Sequence, residues 1–177
     1  GTITDEEGLQ WNPDGWRLLI KNLKLSDGLV AVEREGGEPP VYNRFDERHI
    51  VISSINGNFK NFQLTDDTLR SDLSISAKDR GGFVIKKLSA DMKFTPKLME
   101  FNNLDIVTKG SHLRDHYAMH YNHFNDDMQD FIHTVTVDGH FKNSTLSSED
   151  LAYFAPEAAS WNTVFTLNGK AHGKIDH

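Results

Sequence analysis

The sequence has no cysteine, no long apolar run and few basic residues. Without cysteine, the 177-residue chain has no disulfide, no thiolate metal site and no cysteine nucleophile. No apolar stretch approaches the ~20 residues that a membrane-spanning helix needs. A compact chain of this length buries roughly 70% of its unfolded surface, so we expect a hydrophobic core to hold it together without covalent links.

The charge balance is acidic, and it narrows the range of partners and activities. The chain carries 19 lysines and arginines against 26 aspartates and glutamates, a net charge of −7. Because no lysine- or arginine-rich run is present to neutralise phosphates, we predict no nucleic-acid partner. The motifs GxSxG, GxGxxG and GxxxxGK[ST] are also missing. We therefore predict a protein that is not an enzyme and uses no cofactor.

Apolar and polar residues alternate through most of the chain. The alternation is clear in "TLRSDLSISAKD" (68–79), "FIHTVTVDGHF" (131–141) and "WNTVFTLNG" (161–169). A period of two is typical of strands with one wet face and one apolar face. Turn signals separate these runs, so we predict an all-β antiparallel fold of eight to ten strands.

One short helix is expected near residues 147–155, within "SSEDLAYFAP". Ser147 or Ser148 can cap the helix, and two acidic residues follow at its positive N-terminal end. Pro156 marks the stop. The sequence therefore predicts about two helical turns in an otherwise β-rich chain.

Several predicted strands change the side of their apolar residues halfway along. In "RGGFVIKKLSADMKF" (80–94), the apolar positions are odd-numbered before Lys86-Lys87 and even-numbered after it. The same change recurs in "WRLLIKNLKL", "HIVISSINGNF" and "LMEFNNLDIV". Each change is either a β-bulge, which bends the strand, or a loop between two short strands. Repeated bulges would curl a sheet around its apolar face, so we predict a curved antiparallel sheet, taco-like or sandwich-like.

A weak internal repeat bears on the domain organisation. The segments "INGNFKNFQLTDDTL" (55–69) and "VDGHFKNSTLSSEDL" (137–151) match at the Gly, Phe, Lys, Asn and both Leu positions without a gap. A repeated supersecondary unit and a chance similarity both account for this match. We expect residues 1–15 to be a loop or an expression scar. Residues 16–177 are then one β-rich domain, a segment of a longer repetitive β protein.

A histidine-rich stretch, "HLRDHYAMHYNHFNDD", offers a candidate metal site. On a helix, His112, His116 and His120 would share one face and could bind zinc or copper. The same stretch alternates, however, and its neighbours are predicted strands. Residues four apart on a strand lie ~13 Å apart, too far for two histidines to share a metal. We therefore predict a solvated histidine face and no metal site, and a metal site is the third-ranked alternative.

The order of the alternating segments carries a family resemblance. The segments are "WRLLIKNLKLSDG", "HIVISSINGNFKNFQL", "RGGFVIKKLSADMKF" and "MEFNNLDIVTKGSHL", followed by "DFIHTVTVDGHFKNSTLSSEDLAYFAP" with its strand, turn and short helix. This order resembles TamB proteins, which belong to the AsmA-like group of envelope proteins. The resemblance extends from Trp16 to Ile175 and rests on loose hydrophobic patterns rather than on catalytic signatures.

The resemblance implies a place and a role for the chain. Such proteins are anchored in the inner membrane and extend through the periplasm as elongated, taco-shaped sheets with an apolar groove. They support phospholipid transport between the inner and outer membranes, and outer-membrane protein assembly with a barrel partner. On this expectation the chain is a periplasmic segment, and the anchor and the barrel-binding region lie outside it.

The expected partner inside the groove is the acyl chain of a phospholipid. Each buried CH₂ group of such a chain contributes ~0.8 kcal/mol, so binding requires no specific polar contact. The predicted groove lining consists of apolar residues from the alternating segments: Phe83, Ile85, Leu88, Met92, Phe94, Leu104, Ile106, Val135 and Val137.

Two alternatives stand beside the groove hypothesis. The same apolar residues could form an ordinary closed core, because an empty groove exposes a large apolar patch. A β-sandwich module that binds a glycan or a protein partner is the other alternative. It would be favoured by aromatic residues that line one edge, and Trp11, Tyr42 and Trp161 are the candidates.

Overall fold

The structure is a computed structural model, and it describes residues 10–33, 39–46 and 48–174. Within this part of the chain, all eight strands belong to one antiparallel sheet in the order of the sequence. The strands are β1 (Leu18–Glu33), β2 (His49–Thr65), β3 (Thr68–Asp79), β4 (Val84–Thr95), β5 (Leu98–Val107), β6 (His112–His120), β7 (Thr136–Ser147) and β8 (Val164–Gly173). The all-β antiparallel prediction is confirmed, and the sheet is open because β1 and β8 are its two edges.

Most apolar residues of the strands lie on the same side of the sheet. One row of directly paired residues crosses all eight strands: Leu18, Leu64, Leu69, Phe94, Met99, Met119, Val137 and Gly173. The adjacent row is mostly polar: Leu19, Gln63, Arg70, Lys93, Glu100, Ala118, Asp138 and His172. Because neighbouring rows point to opposite sides, the sheet has an apolar face and a polar face. A sandwich needs a second sheet, and the described residues form only this one.

The predicted side changes are bulges inside continuous strands. The pairing of β3 with β4 shifts between Ile75 and Ala77, opposite Lys86-Lys87, so β4 holds one extra residue there. The pairing of β5 with β6 shifts at Asn103, whose φ is 50°. Asparagine tolerates this left-handed conformation better than most residues. The extra residue restores the apolar side chains to one face, and the alternative of separate short strands is wrong at these positions.

The first two strands change side in different ways. The pairing of β2 with β3 shifts between Ser53 and Asn56, and Ser54 has a φ of 50°. In β1, Ile20 pairs with Phe62 and Leu23 pairs with Phe59 without a register shift. Between these two pairs, β1 and β2 therefore change side together. The apolar residues of β1 continue to face those of β2.

The internal repeat corresponds to a shared bulge. Asn61 in β2 and Asn143 in β7 occupy matching positions of the two segments, and their φ angles are 51° and 45°. The pairing of each strand with the next one shifts at this asparagine. After the shared leucine, the first segment turns into β3 whereas the second enters a helix. The repeated element is therefore a strand with an asparagine bulge, and it does not include the connection that follows.

The region between β6 and β7 differs from the prediction. The expected strand at 131–141 begins only at Thr136, and two short helices precede it, α1 (Phe124–Gln129) and α2 (Phe131–Thr134). The Thr134 hydroxyl donates to the carbonyl of Asp130 over 2.7 Å, which holds the end of α2. Four apolar residues recur with helical spacing across this stretch: Phe124, Met128, Phe131 and Val135. This period competes with the alternation, and packing on the apolar face favours the helices.

The predicted helix at the end of β7 begins where expected, but it is shorter than expected. Helix α3 spans Ser148–Ala152, and the backbone N–H of Asp150 donates to the Ser147 side chain over 3.1 Å. Pro156 begins a separate 3-10 helix, Pro156–Ser160, instead of marking the end of α3. Among the described residues, no helix has the length and apolar character required to cross a bilayer.

The bulge at Asn103 gives a test of the backbone argument. We expect Asn103→Val to lower the free energy of unfolding by about 1–2 kcal/mol relative to Asn103→Gly, because only glycine adopts the left-handed conformation without strain. Both variants lose the side-chain hydrogen bond from Asn103 to Asp91, so the difference isolates the backbone. Urea unfolding at neutral pH measures it, and equal stabilities would contradict the argument.

Candidate functional site

The apolar face is the candidate functional site, because the predicted groove residues converge on it. Leu88 of β4 pairs directly with Ile106 of β5, and both belong to this face. Leu104 of the same face is 3% exposed. The remaining predicted residues also lie on the strands of this face or next to them: Phe83, Ile85, Met92, Phe94, Val135 and Val137. These predicted residues therefore share one face of the sheet, and they differ in how deeply they are buried.

One end of the apolar face is filled by the helices between β6 and β7. Tyr121, Met128 and Val135 form the centre of a buried cluster, in which Val135 has no exposed surface. The Tyr121 hydroxyl donates to the carbonyl of Thr95 over 2.8 Å, so its polar group is satisfied. Apolar residues from several elements pack around this centre: Phe94, Met99, Met119, Phe124, Phe131 and Val137. We call these nine residues the closed cluster.

The closed cluster answers part of the question of groove or core. Phe94, Val135 and Val137 were predicted to line a groove, and the structure places all three in the closed cluster. Val135 lies at the end of α2 rather than on a strand, because the helix displaces the start of β7. Trp11 covers this end as well, with its ring centroid 4.4 Å from that of Phe94. Here the closed-core alternative describes the face.

A row of aromatic rings runs from the closed cluster to the opposite strand ends. Phe45 lies 6.1 Å from Phe131 and 5.4 Å from Phe154, measured between ring centroids. Phe83 lies 5.4 Å from Phe154 and 5.0 Å from Tyr153. We call these five residues the aromatic row. Its members come from a loop, two helical segments and the turn before β4, so the sequence pattern of any one segment does not reveal it.

The first strand exposes two apolar side chains of the apolar face. Leu18 is 45% exposed and Leu23 is 37% exposed. Both lie on the apolar face, because they pair with Leu64 and Phe59. Burying such side chains is favourable by roughly 25 cal/mol per Å² of apolar surface. These two side chains therefore leave apolar surface exposed on the β1 side, although helix α1 also contacts β1.

Of the aromatic residues of the sandwich alternative, Tyr42 and Trp161 are 64% and 50% exposed, whereas Trp11 is not exposed. Trp11 is half-buried against Phe94, and its backbone N–H donates to Asp67 in the turn between β2 and β3. Tyr42 lies at the other end of the strands, next to Asn43, whose N–H donates to Gly81. Trp11 therefore does not lie on the exposed edge that this alternative requires.

The histidine-rich stretch forms strand β6, as the alternation predicted. His112, His116 and His120 lie on the polar face and contact Asp105, Asn102 and Asp138 of neighbouring strands. Asp138 also accepts from His172 of β8 over 2.5 Å, a bridge that sequence reasoning missed. Within the described residues, no three histidine or carboxylate side chains are placed to hold a metal ion.

Asp105 on this face is held in the charged state by its partners. A hydrogen bond from Lys87, followed by one from His112, lowers the pKa of Asp105 below its usual value against the opposing effect of burial. The Lys87 Nζ lies 2.6 Å from the carboxylate. The hydrogen bonds therefore connect β4, β5 and β6 across the polar face, and they give these residues a structural explanation.

Val135 gives a test of the closed cluster. We expect Val135→Ala to lower the free energy of unfolding by about 2 kcal/mol, because it removes buried methyl groups and leaves a cavity. Val164→Ala is the matched control, since Val164 is 60% exposed, and its effect should stay within about 0.5 kcal/mol. Thermal unfolding of both variants measures the difference. Equal effects would show that Val135 is not in a packed core.

Asp105 gives a test with a defined pH dependence. Its lowered pKa means that the charged form stabilises the fold at pH values above the unfolded pKa of about 3.9, and that this stability disappears as pH falls through the folded pKa. We expect Asp105→Asn to cost up to about 1 kcal/mol at pH 7, and we expect this cost to shrink as pH falls below the unfolded pKa of about 3.9 towards the lower folded pKa. Urea unfolding across this range, with Asp14→Asn as the exposed control, measures the change. A pH-independent cost would contradict the ion-pair explanation.

Comparison with known proteins adds no relative to this picture. No family model matches the chain, and neither a curated protein nor a solved structure matches it. The similarity to TamB proteins therefore rests on the segments quoted above and stays a prediction.

Proposed function

We propose that this chain is a lipid-binding segment of a periplasmic, inner-membrane-anchored protein of the TamB and AsmA-like type. It supports phospholipid transport between the inner and outer membranes, or outer-membrane protein assembly, by binding rather than by catalysis. The observation that carries the proposal is one open sheet whose apolar residues share a single face. Such a face suits acyl chains, because they need apolar contact and few directed polar bonds.

The two parts of the apolar face have different roles in this proposal. The closed cluster stabilises the curved sheet, since its centre is buried and the helices pack on it. The β1 side offers the lipid surface, where Leu18 and Leu23 are exposed next to half-buried partners on β2. The proposed lining therefore extends to strands that the predicted groove residues did not include.

The arrangement of the polar groups also supports binding on one face only. On the polar face, Arg70 pairs with Lys93, and Lys93 pairs with Glu100. Transfer of such charged groups to a lipid environment is costly. A lipid in contact with the apolar face leaves this polar face in water, so the sheet can separate an acyl chain from the solvent.

Leu18 and Leu19 provide a matched test of the proposal. They are adjacent in β1 and both exposed, yet Leu18 lies on the apolar face and Leu19 on the polar face. We expect Leu18→Asp to weaken phospholipid binding by at least about tenfold, because the carboxylate must lose water beside an acyl chain. Leu19→Asp should bind as the wild type does. Titration with a short-chain phospholipid, together with native mass spectrometry of the purified proteins, measures both.

Circular dichroism and thermal unfolding should show that both variants are folded. Equal lipid binding by the two variants would contradict the proposal that the apolar face is the lipid surface. A wild-type protein that binds no phospholipid would contradict the proposed function as a whole.

A further inference from the structure

A pocket lies at the strand ends where β2 begins and β3 ends. Its volume is ≈ 350 Å³, and its lining includes Arg44, Phe45, Arg48, Tyr153 and Phe154. The lining combines these two arginines and three aromatic rings with one carboxylate, Asp46, and with His49. Neither the sequence motifs nor the predicted groove included this pocket.

Backbone hydrogen bonds fix the loop that forms one wall of the pocket. The N–H of Phe45 donates to the carbonyl of Tyr153 over 2.7 Å, and the N–H of Asn43 donates to the carbonyl of Gly81 over 3.1 Å. The Tyr153 hydroxyl donates to Asp79 at the end of β3. The loop is therefore tied to α3 and to the strand ends, and the pocket is built before any ligand arrives.

The carboxylate inside the pocket is already occupied by internal donors. Asp46 accepts hydrogen bonds from the backbone of Val41 over 2.9 Å, the backbone of Arg48 over 3.2 Å and the ring of His49 over 3.0 Å. Burial acts to raise the pKa of Asp46, but the hydrogen bonds from Val41, His49 and Arg48 outweigh it, and the pKa is lowered. The Asp46 carboxylate therefore stays ionised, and its hydrogen bonds hold the loop in place.

The two arginines of the pocket differ from Asp46 in their surroundings within the described residues. Arg44 and Arg48 are exposed, and no carboxylate of the described residues forms an ion pair with either side chain. A guanidinium group binds phosphate through paired hydrogen bonds, and arginine is favoured wherever such recognition matters. The charge of the pocket mouth therefore suits a phosphate group.

The aromatic rings give the pocket a second, apolar side. Phe45 and Phe154 line the pocket and belong to the aromatic row, which continues to Phe131 of the closed cluster. A ligand that satisfies both sides has an anionic head group and an apolar tail. A free phosphate satisfies only the arginines, and an uncharged lipid satisfies only the rings.

We propose that this pocket binds the phosphate head group of an anionic phospholipid, with Arg44 and Arg48 on the phosphate and the acyl chains along the aromatic row, as a second lipid position at the opposite strand ends from Leu18. The inference rests on the proposed lipid-binding function and specifies where the head group sits. It also gives the bound lipid a direction, because its head group lies at the strand ends where β2 begins.

Removal of the two pocket charges tests the inference. The variant Arg44→Gln/Arg48→Gln should bind dihexanoyl phosphatidylglycerol at least about tenfold more weakly than the wild type, whereas its binding of dihexanoyl glycerol should not change. The matched control is Arg70→Gln/Lys78→Gln, which removes the same charge from exposed residues on the polar face of β3. This control should bind both lipids as the wild type does. Calorimetry on the full chain measures all six affinities, two lipids for each of the three proteins.

A salt titration of the wild type provides a test that needs no variant. Between about 0.05 M and 0.5 M salt, phosphatidylglycerol affinity should fall while dihexanoyl glycerol affinity holds, because screening acts only on the charged head group. A double variant that keeps wild-type affinity for phosphatidylglycerol overturns the head-group site and leaves the proposed function standing. Glycerol phosphate that binds as tightly as the lipid overturns the lipid assignment. A wild type that binds neither lipid overturns both proposals.

Discussion

The constraint on which this structure depends is the phase of side-chain alternation along each strand. A strand directs successive side chains to opposite faces, so a single inserted residue would turn the apolar set toward water. Here the insertions occur where the sequence also changes phase, and the two effects cancel. Asn61, Asn103 and Asn143 hold the left-handed backbone conformation at these points. Every later property follows from this agreement, since it gives an open sheet one apolar face across eight strands.

One part of the apolar face stabilises the fold, and another part stays accessible to a ligand. An open sheet that buried all its apolar residues would have nothing left for a ligand, and one that buried none would not hold its shape. The helices between β6 and β7 resolve this conflict locally, because they bury Val135 and Met128 against the sheet. The first strand keeps Leu18 and Leu23 exposed. The aromatic row connects the buried end of the apolar face with the pocket of Arg44 and Arg48 at the opposite strand ends.

The sequence was sufficient for features that depend on neighbouring residues. The side change at Lys86-Lys87 and the cap at Ser147 are local, and both were predicted. The helices at 124–134 were missed because Phe131, Val135, Val137 and Phe141 alternate as a strand does, while the helical spacing of Phe124, Met128 and Phe131 becomes decisive only when a sheet lies beneath it. The residues that were predicted to line a groove share the apolar face, but how deeply each one is buried was not predictable. That depth depends on contacts between distant segments, such as Trp11 with Phe94 and Phe45 with Phe131.

The order of the strands has a consequence for how the chain folds and changes in length. Each strand pairs only with its neighbours in sequence, so most strand pairing closes short loops and carries a modest entropic penalty for a β protein. Assembly can proceed hairpin by hairpin, and the stability of the sheet approximates a sum over neighbouring pairs. In such an arrangement, duplication of a hairpin lengthens the sheet without rearranging the strands already present. The shared asparagine bulges of β2 and β7 are the kind of trace that this growth leaves behind.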